Sequence, residues 1–226
     1  MSNFFSSNVK SFVVRSGRVT SSQKKALRDY SDFFCIPFSE KEVSLKEVFE
    51  NNNPIVLDIG FGMGNEIIDF SIKNPEKNVL GIEIYKPAIG NVLNNIQKNN
   101  IKNIKIINYD AYLVLTKMLT DESLCEIHLY FPDPWPKKKH HKRRLVNAEF
   151  GRILYSKLEI GGKIKCATDN KSYADQIVEV LSEQKCFQNM NAGYGSRPTD
   201  RVISKFEQKA FDNASKIYEI SFAKLN

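Results

Sequence analysis

The sequence predicts an α/β fold in which helices pack against a mostly parallel sheet. Short apolar segments of strand length alternate with longer segments that mix apolar and polar residues at helical spacing. The predicted strands span residues 55–60, 79–83, 104–109, 126–131, 163–167 and 217–225. The predicted helices span residues 65–73, 87–97, 113–119, 147–158 and 172–183. This alternation is typical of βαβ units, in which crossover helices join parallel strands.

Composition indicates a globular protein with one main domain. The chain has 226 residues, of which 42% are hydrophobic and 26% are charged, and this is enough to bury a sizeable core. We expect residues 46–226 to form a single domain and residues 1–45 to form a basic N-terminal arm with a packing segment. The stretch 15–23 is either an arm that orders on a partner or a frayed tail.

Several functional classes are disfavoured by the sequence. No apolar run approaches the length of a membrane span, and the N-terminus lacks a signal-peptide core, so we expect a cytoplasmic protein without a membrane partner. The four cysteines are too far apart for a Cys-x-x-Cys motif, and no metal site is predicted. Monomer and homodimer both remain open.

Residues 137–144 form a basic run that predicts a polyanionic partner. Six of these eight residues are Lys or Arg, and no acid interrupts them, while the whole chain has a net charge of +7. A solvated helix face is the alternative, but such faces usually mix acids with bases. The run follows a predicted strand and three prolines, which favour a stiff extended turn around Asp133 and Trp135. Trp135 either stacks on a base or locks this turn.

A glycine-rich loop follows the first predicted strand. Gly60, Gly62 and Gly64 allow a close approach of backbone to ligand, which favours a nucleotide-like cofactor, although a plain tight turn is the alternative. A dinucleotide fingerprint has the pattern Gly-x-Gly-x-x-Gly, and here Asn65 occupies its last position. The spacing therefore disfavours an NAD-dependent oxidoreductase.

Acidic residues lie at the ends of four consecutive predicted strands. They are Asp58, Glu83, Asp110 and Asp133. Carboxyl ends of parallel strands share one edge of a sheet, so we expect these acids to surround one ligand, with Glu83 accepting hydrogen bonds from a ribose. Each acid alone could instead cap the following helix. As a set they suit a cationic sulfonium cofactor better than a pyrophosphate, whose negative charges they would repel.

Four segments closely resemble the bacterial tRNA (guanine-N7-)-methyltransferases. They are residues 58–64, 81–90, 131–144 and 167–174, and residues 15–23 and 204–207 are also similar. The segment 131–144 is the most specific of them. The resemblance implies a class I S-adenosylmethionine-dependent methyltransferase (Rossmann-like) fold, with a seven-stranded, mostly parallel sheet, an antiparallel last strand and helices on both faces. It also implies methylation of N7 of a guanine in the variable loop of tRNA.

The same resemblance implies roles for individual residues. Asp133 takes the catalytic position. The cofactor positions are Asp58, Gly60, Gly62, Gly64, Glu83, Asp110 and Asp133. The substrate positions are Lys137, Asp169, Ser204, Lys205, Phe206 and Glu207. The RNA-contacting positions are Lys139, His140, His141, Lys142, Arg143 and Arg144. Asp58 and Ser204 depart from the family, which often has Glu and usually has Thr there.

The implied chemistry needs no general base. Guanine N7 carries an in-plane lone pair and no proton, so it can attack a sulfonium methyl directly once it is aligned. Such alignment can supply about 7–11 kcal/mol in favourable intramolecular systems. Asp133, Asp169 and Glu207 are the candidates to stabilise the developing positive charge and to accept hydrogen bonds from the base.

Two further alternatives remain open. A non-catalytic RNA-binding module is disfavoured, because acids at the strand ends would repel phosphate without a cofactor to offset them. The second alternative is a methyltransferase that acts on another nucleic-acid position. It is more similar to the implied enzyme, and only the methylated product distinguishes the two.

Overall fold

The computed structural model describes residues 11–12 and 17–226, and its centre is one seven-stranded sheet. The strands are β1 (Ile55–Ile59), β2 (Asn78–Ile82), β3 (Ile104–Ile107), β4 (Leu124–Tyr130), β5 (Leu158–Thr168), β6 (Phe187–Asn189) and β7 (Tyr218–Lys224). Their order in the sheet is β3-β2-β1-β4-β5-β7-β6. Strands β1 to β5 pair in parallel, and β7 is antiparallel to both of its neighbours. The expected antiparallel last strand is confirmed.

Eight α-helices connect or flank these strands in the described part of the chain. They are α1 (Ser21–Phe34), α2 (Leu45–Phe49), α3 (Asn65–Lys73), α4 (Lys86–Lys98), α5 (Ala111–Lys117), α6 (Ala148–Lys157), α7 (Lys171–Ser182) and α8 (Lys205–Asp212). A 3-10 helix spans Lys138–Arg143. The five predicted helices are present, and each of their ends lies within two residues of the prediction. The predicted strands fit similarly, except that β5 begins five residues earlier than expected. Helices α1 and α8 and strand β6 were not predicted.

One face of the sheet forms a continuous apolar core. Leu57, Ile127, Ile164 and Phe222 lie on neighbouring strands, are all fully buried, and pack with apolar side chains of α2, α5, α6 and α7. These residues alternate with side chains that point to the opposite face, as the two-residue period of a strand requires.

The opposite face is apolar over β2 and β3, where α1, α3 and α4 cover it. Ala26 of α1 is buried in this second cluster, and Thr20 caps α1 by accepting a hydrogen bond from the Gln23 backbone N–H. Within the predicted arm, residues Ser21–Phe34 are therefore helical and packed against the sheet. Residues 1–10 and 13–16 of the arm lie outside the described part of the chain.

Over β4, β5 and β7 the same face is charged. Glu126, His128, Lys165 and Glu219 alternate with the apolar core residues of these strands. A charged side chain that is buried between a sheet and the elements covering it needs hydrogen-bond or ion-pair partners. The two ends of this face supply different partners of this kind. No helix among the described residues is long and apolar enough to cross a membrane.

Candidate active site

The parallel strands bring the predicted acids to one edge of the sheet. Asp58 is the fourth residue of β1 and is 3% exposed, while Glu83 follows β2 directly. Burial and the negative charge of Glu83 raise the pKa of Asp58 to about 7. Burial also raises the pKa of Glu83, and the charge of Asp133 adds to this effect. Glu83 therefore lies within electrostatic reach of both Asp58 and Asp133.

The glycine loop depends on glycine at all three positions. Gly60, Gly62 and Gly64 have φ values of 72°, 54° and 85°, a left-handed region that residues with a Cβ rarely adopt. A Cβ on Gly64 would also lie 2.1 Å from Cγ2 of Val92. A Cβ on Gly60 or Gly62 would meet no atom within 4 Å among the described residues, so the loop leaves open space on that side.

Glu83 fixes the shape of this loop. Its Oε2 accepts a hydrogen bond from the Gly62 N–H at 3.0 Å, and its Oε1 accepts from the N–H groups of Ile84 and Tyr85 at 2.7 and 3.0 Å. These bonds tie the ends of β1 and β2 together. Each carboxylate oxygen has two lone pairs, so Oε2 keeps one for a ligand hydroxyl.

Asp110 combines a capping role with its position at the edge. It is the N-cap of α5, and its Oδ1 accepts from the Leu113 N–H at 3.0 Å. For each strand-end acid, capping of the following helix was the alternative to ligand binding. One oxygen of Asp110 does cap the following helix.

Two asparagines that sequence reasoning missed support the loop from outside. Asn91 of α4 donates to the Met63 carbonyl at 2.7 Å, and Asn108 donates to the Glu83 carbonyl at 2.7 Å. Asn108 immediately follows the β3 segment, a position that could have drawn attention to it. Nothing in the sequence marks Asn91, because it reaches the loop only through the packing of α4.

The turn after β4 is held in an unusual backbone conformation. Phe131 and Trp135, each followed by proline, have φ values of 51° and 44°, which are costly for bulky residues. The Phe131 N–H donates to the Ala167 carbonyl at 2.7 Å, so the ends of β4 and β5 are joined. Asp133 is exposed in this turn, and Asp169 is exposed just beyond β5.

Trp135 packs within the turn. Its Nε1–H donates to the Ser11 carbonyl at 3.1 Å, and its ring contacts His140 edge-on. The Arg143 guanidinium lies over the same ring at 4.9 Å. These contacts favour the turn-locking interpretation over the base-stacking one.

The basic run divides into exposed and buried members. Lys137, Lys138, Lys139 and Lys142 are exposed, and His140, His141 and Arg143 are partly so. The 3-10 helix presents these side chains at the same edge of the sheet as Asp133. They remain candidates for RNA contact.

Arg144 corrects the predicted RNA-contacting set. It is 2% exposed, and its Nε donates to the Pro134 carbonyl at 2.9 Å while Nη1 donates to Gln176 Oε1 at 2.8 Å. Its guanidinium also lies over the Tyr173 ring at 4.9 Å. A cation this deeply engaged cannot reach a phosphate in this conformation, so Arg144 anchors the proline turn to α7.

The segment Ser204 to Glu207 forms the start of α8. Ser204 is the N-cap and accepts from the Glu207 N–H at 3.1 Å, and Lys205 and Phe206 are exposed. Glu207 corrects the prediction of a base contact, because its side chain is fully buried. Its Oε1 accepts from Arg197 Nε at 2.6 Å and from Arg201 Nη2 at 2.9 Å.

The same geometry excludes Arg201 as a phosphate contact. Its side chain is 6% exposed, and it binds Glu219 as well as Glu207. Burial acts against the charge of Glu207, but the two arginines lower the pKa of its carboxyl. Within residues 11–12 and 17–226, no group of three or more His, Cys, Asp or Glu side chains could hold a metal ion.

Comparison with known proteins identifies the family. A family model described as a putative methyltransferase matches residues 52–220. The tRNA (guanine-N(7)-)-methyltransferase of Francisella philomiragia is 40% identical over 218 residues, which cover 96% of this chain and 95% of that protein. The enzyme of the same name from Nitrosomonas eutropha is 40% identical over 216 residues, covering 96% of both chains.

Solved structures support the fold at much lower identity. The 16S rRNA methyltransferase KamB has a TM-score of 0.59 at 12% identity, covering 82% of this chain and 96% of that chain. An rRNA methylase from Streptococcus thermophilus has a TM-score of 0.52 at 15% identity, covering 77% and 88%. These likenesses concern the fold alone, and they confirm the predicted class I methyltransferase architecture. By the extent and identity of its sequence match, the chain belongs to the tRNA (guanine-N(7)-)-methyltransferase family.

Proposed function

We propose that this protein transfers the methyl group of S-adenosylmethionine to N7 of a guanine in the variable loop of tRNA. Membership of the family supports both the substrate and the methylated atom. The structural observation that carries the proposal is Asp58, a carboxylate that is 3% exposed beside the glycine loop and whose pKa is raised by burial and by the charge of Glu83. A cofactor with positive charge supplies the counter-charge that the described residues do not provide.

The residues around the loop fit such a cofactor. Gly60 and Gly62 leave open space where ligand and backbone can approach closely. Glu83 is already ordered by three backbone N–H groups, and it retains a lone pair for a ribose hydroxyl. Bound there, S-adenosylmethionine supplies an electrophilic methyl group.

The protein's part in catalysis is orientation and electrostatics. N7 of guanine needs no deprotonation before it attacks, so the site must align the base and stabilise the positive charge that the base acquires. Asp133 is exposed on the strained turn after β4, and Asp169 follows the neighbouring strand. Both acids can stabilise the charged base and accept hydrogen bonds from it.

The exposed part of the basic run provides the tRNA surface. Lys137, Lys138, Lys139 and Lys142 carry charge on the turn that begins with Asp133. Phosphates bound there would hold the tRNA beside the acids at the strand ends. The hydrogen bonds of Arg144 keep the turn in place. Because tRNA is cytoplasmic, we place the enzyme in the cytoplasm.

The proposal is tested with methyl-labelled S-adenosylmethionine and tRNA from a strain that lacks its own N7-methylating enzyme. Nucleoside analysis should give labelled 7-methylguanosine, and nuclease mapping should place it in the variable loop. Another methylated nucleoside would show a different target atom. Tight tRNA binding without S-adenosylmethionine binding in calorimetry would instead support a non-catalytic RNA-binding module.

A further inference from the structure

Arg201 joins three parts of the molecule through one buried guanidinium. It lies in the loop between β6 and α8, and its side chain is 6% exposed. Nη1 donates to Glu219 Oε2 of β7 at 2.8 Å, and Nη2 donates to Glu207 Oε1 of α8 at 2.9 Å. One cation therefore bonds the helix that begins with Ser204 to the sheet.

The same guanidinium rests on the strand that leads to Asp133. Its central carbon lies 4.7 Å from the centroid of the Tyr130 ring, and Tyr130 is the last residue of β4. Asp133 follows three residues later. A planar guanidinium on an aromatic face has a defined orientation, so this contact and the bond to Glu207 together link α8 to the end of β4.

The fourth neighbour of Arg201 belongs to the cofactor side. Its Nε faces Glu66 Oε1 at 3.8 Å and has no hydrogen-bond partner among the described residues. Glu66 lies in the first turn of α3, directly after the glycine loop. Burial and the charge of Asp58 raise the pKa of Glu66 to about 9, so it is neutral at pH 7.

We propose that Arg201 is a positioning residue for methyl transfer. It holds α8, with the exposed Lys205 and Phe206, in register with the end of β4 and with the cofactor loop. The inference rests on the proposed function, because α8 matters here only if it contacts the tRNA. Beyond the proposed function, we infer that the alignment of the bound base depends on Arg201, a residue that is buried away from the base.

The Arg201→Lys variant tests the geometry while it keeps the charge. Lysine carries a point charge on a flexible stem and cannot bond Glu219 and Glu207 through a planar fork. We expect single-turnover methyl transfer at saturating tRNA to slow by about 10- to 100-fold, because small misalignments are costly. The Kd of S-adenosylmethionine should stay within about twofold. Rates are expressed per cofactor-binding molecule, so partial misfolding does not lower them.

A double-mutant cycle with Phe206→Ala separates positioning from a general loss of stability. If Arg201 acts through α8, Phe206→Ala slows transfer by about tenfold in the wild-type background and by less than about threefold in Arg201→Lys. A purely structural role gives the same Phe206→Ala effect in both backgrounds. The Arg28→Lys variant, at an exposed position of α1, is the matched control and should leave every rate unchanged.

The outcomes distinguish this inference from the proposed function. If the wild-type protein transfers no methyl group to tRNA, the proposed function fails. If the wild type transfers methyl groups and Arg201→Lys transfers them equally fast, or if the two substitutions act additively, the positioning role is overturned.

Discussion

Asp58 and Glu126 are two buried acids on neighbouring strands with opposite surroundings. They are 3% and 6% exposed, and the pairing of β1 with β4 places Val56 beside Glu126 and Asp58 beside His128. Glu126 accepts hydrogen bonds from His128 Nε2 and Lys165 Nζ, each at 2.6 Å. Asp58 has no cationic partner among the described residues, and burial and the charge of Glu83 raise its pKa.

Their pKa values diverge accordingly. Burial alone would raise the pKa of Glu126, but its hydrogen bond to His128 and the charge of Lys165 bring the pKa well below its usual range. Burial lowers the pKa of His128, while its contact with Glu126 acts in the opposite direction. Two acids of similar burial thus differ in their roles. The charge of Glu126 is balanced by its partners, and this acid holds strands together, whereas the charge of Asp58 is not balanced and suits a cationic ligand.

The largest effect is expected at Asp133, an exposed acid at the same edge of the sheet as Asp58. Asp133→Ala removes a carboxylate near the charge that develops on the base, and we expect methyl transfer to slow by about 100- to 1,000-fold. One exposed carboxylate contributes little to a polyelectrolyte interface, so tRNA affinity should change by less than about threefold. Single-turnover rates and tRNA binding are measured side by side. Equal rates in variant and wild type would remove Asp133 from catalysis.

Asp58→Asn should separate ligand binding from stability. We expect S-adenosylmethionine affinity, measured by calorimetry, to fall about 10- to 100-fold, because a charge-assisted contact becomes neutral. The folded-state pKa of Asp58 is about 7 against an ordinary 3.8, so ionisation costs stability as pH rises between these values.

The stability gain of the unliganded Asp58→Asn variant should therefore grow between about pH 4 and pH 7 and stay constant above that. Denaturant titrations at pH 4, 5.5 and 8 measure it. A variant that is less stable than the wild type at pH 8 would show that Asp58 has a stabilising partner, like Glu126.

Glu126→Gln should show the reverse behaviour. The substitution removes the negative charge that faces Lys165, and because Lys165 is partly exposed we expect a loss of about 2 kcal/mol in the free energy of unfolding at pH 7. The folded-state pKa of Glu126 lies below its unfolded value. Its contribution is therefore full above about pH 4.5, and the difference between variant and wild type should shrink as pH falls below that. Cofactor affinity should stay within about twofold, and a larger change would place Glu126 in the cofactor site.

The smallest effect is expected on the exposed lysines. Replacing Lys138, Lys139 and Lys142 by Ala should weaken tRNA binding by about tenfold and reduce the slope of log affinity against log salt by about 2. The matched control replaces three exposed lysines outside the run, Lys46, Lys117 and Lys185. If both triple variants lose the same affinity, the run is only a solvated face. Arg144→Ala is not suitable for this series, because it removes bonds that hold the turn.

The sequence was sufficient for six of the seven strands and for the five connecting helices that were predicted, since each of these forms from its own local pattern. The missed α1 still carried a signal, because Thr20 and Gln23 form a capping box and Ala26, Tyr30 and Phe34 recur every four residues. Its abundance of Ser, Lys and Arg concealed that spacing. The three-residue β6 has no local signal, because it forms only by pairing with β7.

Within the site, sequence reasoning found the residue types but not their partners. Arg143 and Arg144 are adjacent and identical in type, yet the end of a 3-10 helix leaves one partly exposed and buries the other. Glu207 is buried because Arg197 and Arg201 return from the loop before α8. Such contacts depend on how a loop folds back, which no local pattern records.

The contacts of Trp135 give the protein an internal optical reporter. It is the only tryptophan in the chain, and its indole lies under Arg143, beside His140, in the segment expected to meet RNA. Indole emission depends on nearby charge and solvent, so phosphate binding to these side chains should change its intensity or wavelength. Excitation at the red edge of indole absorption would then follow tRNA docking in real time, without a label and independently of methyl transfer.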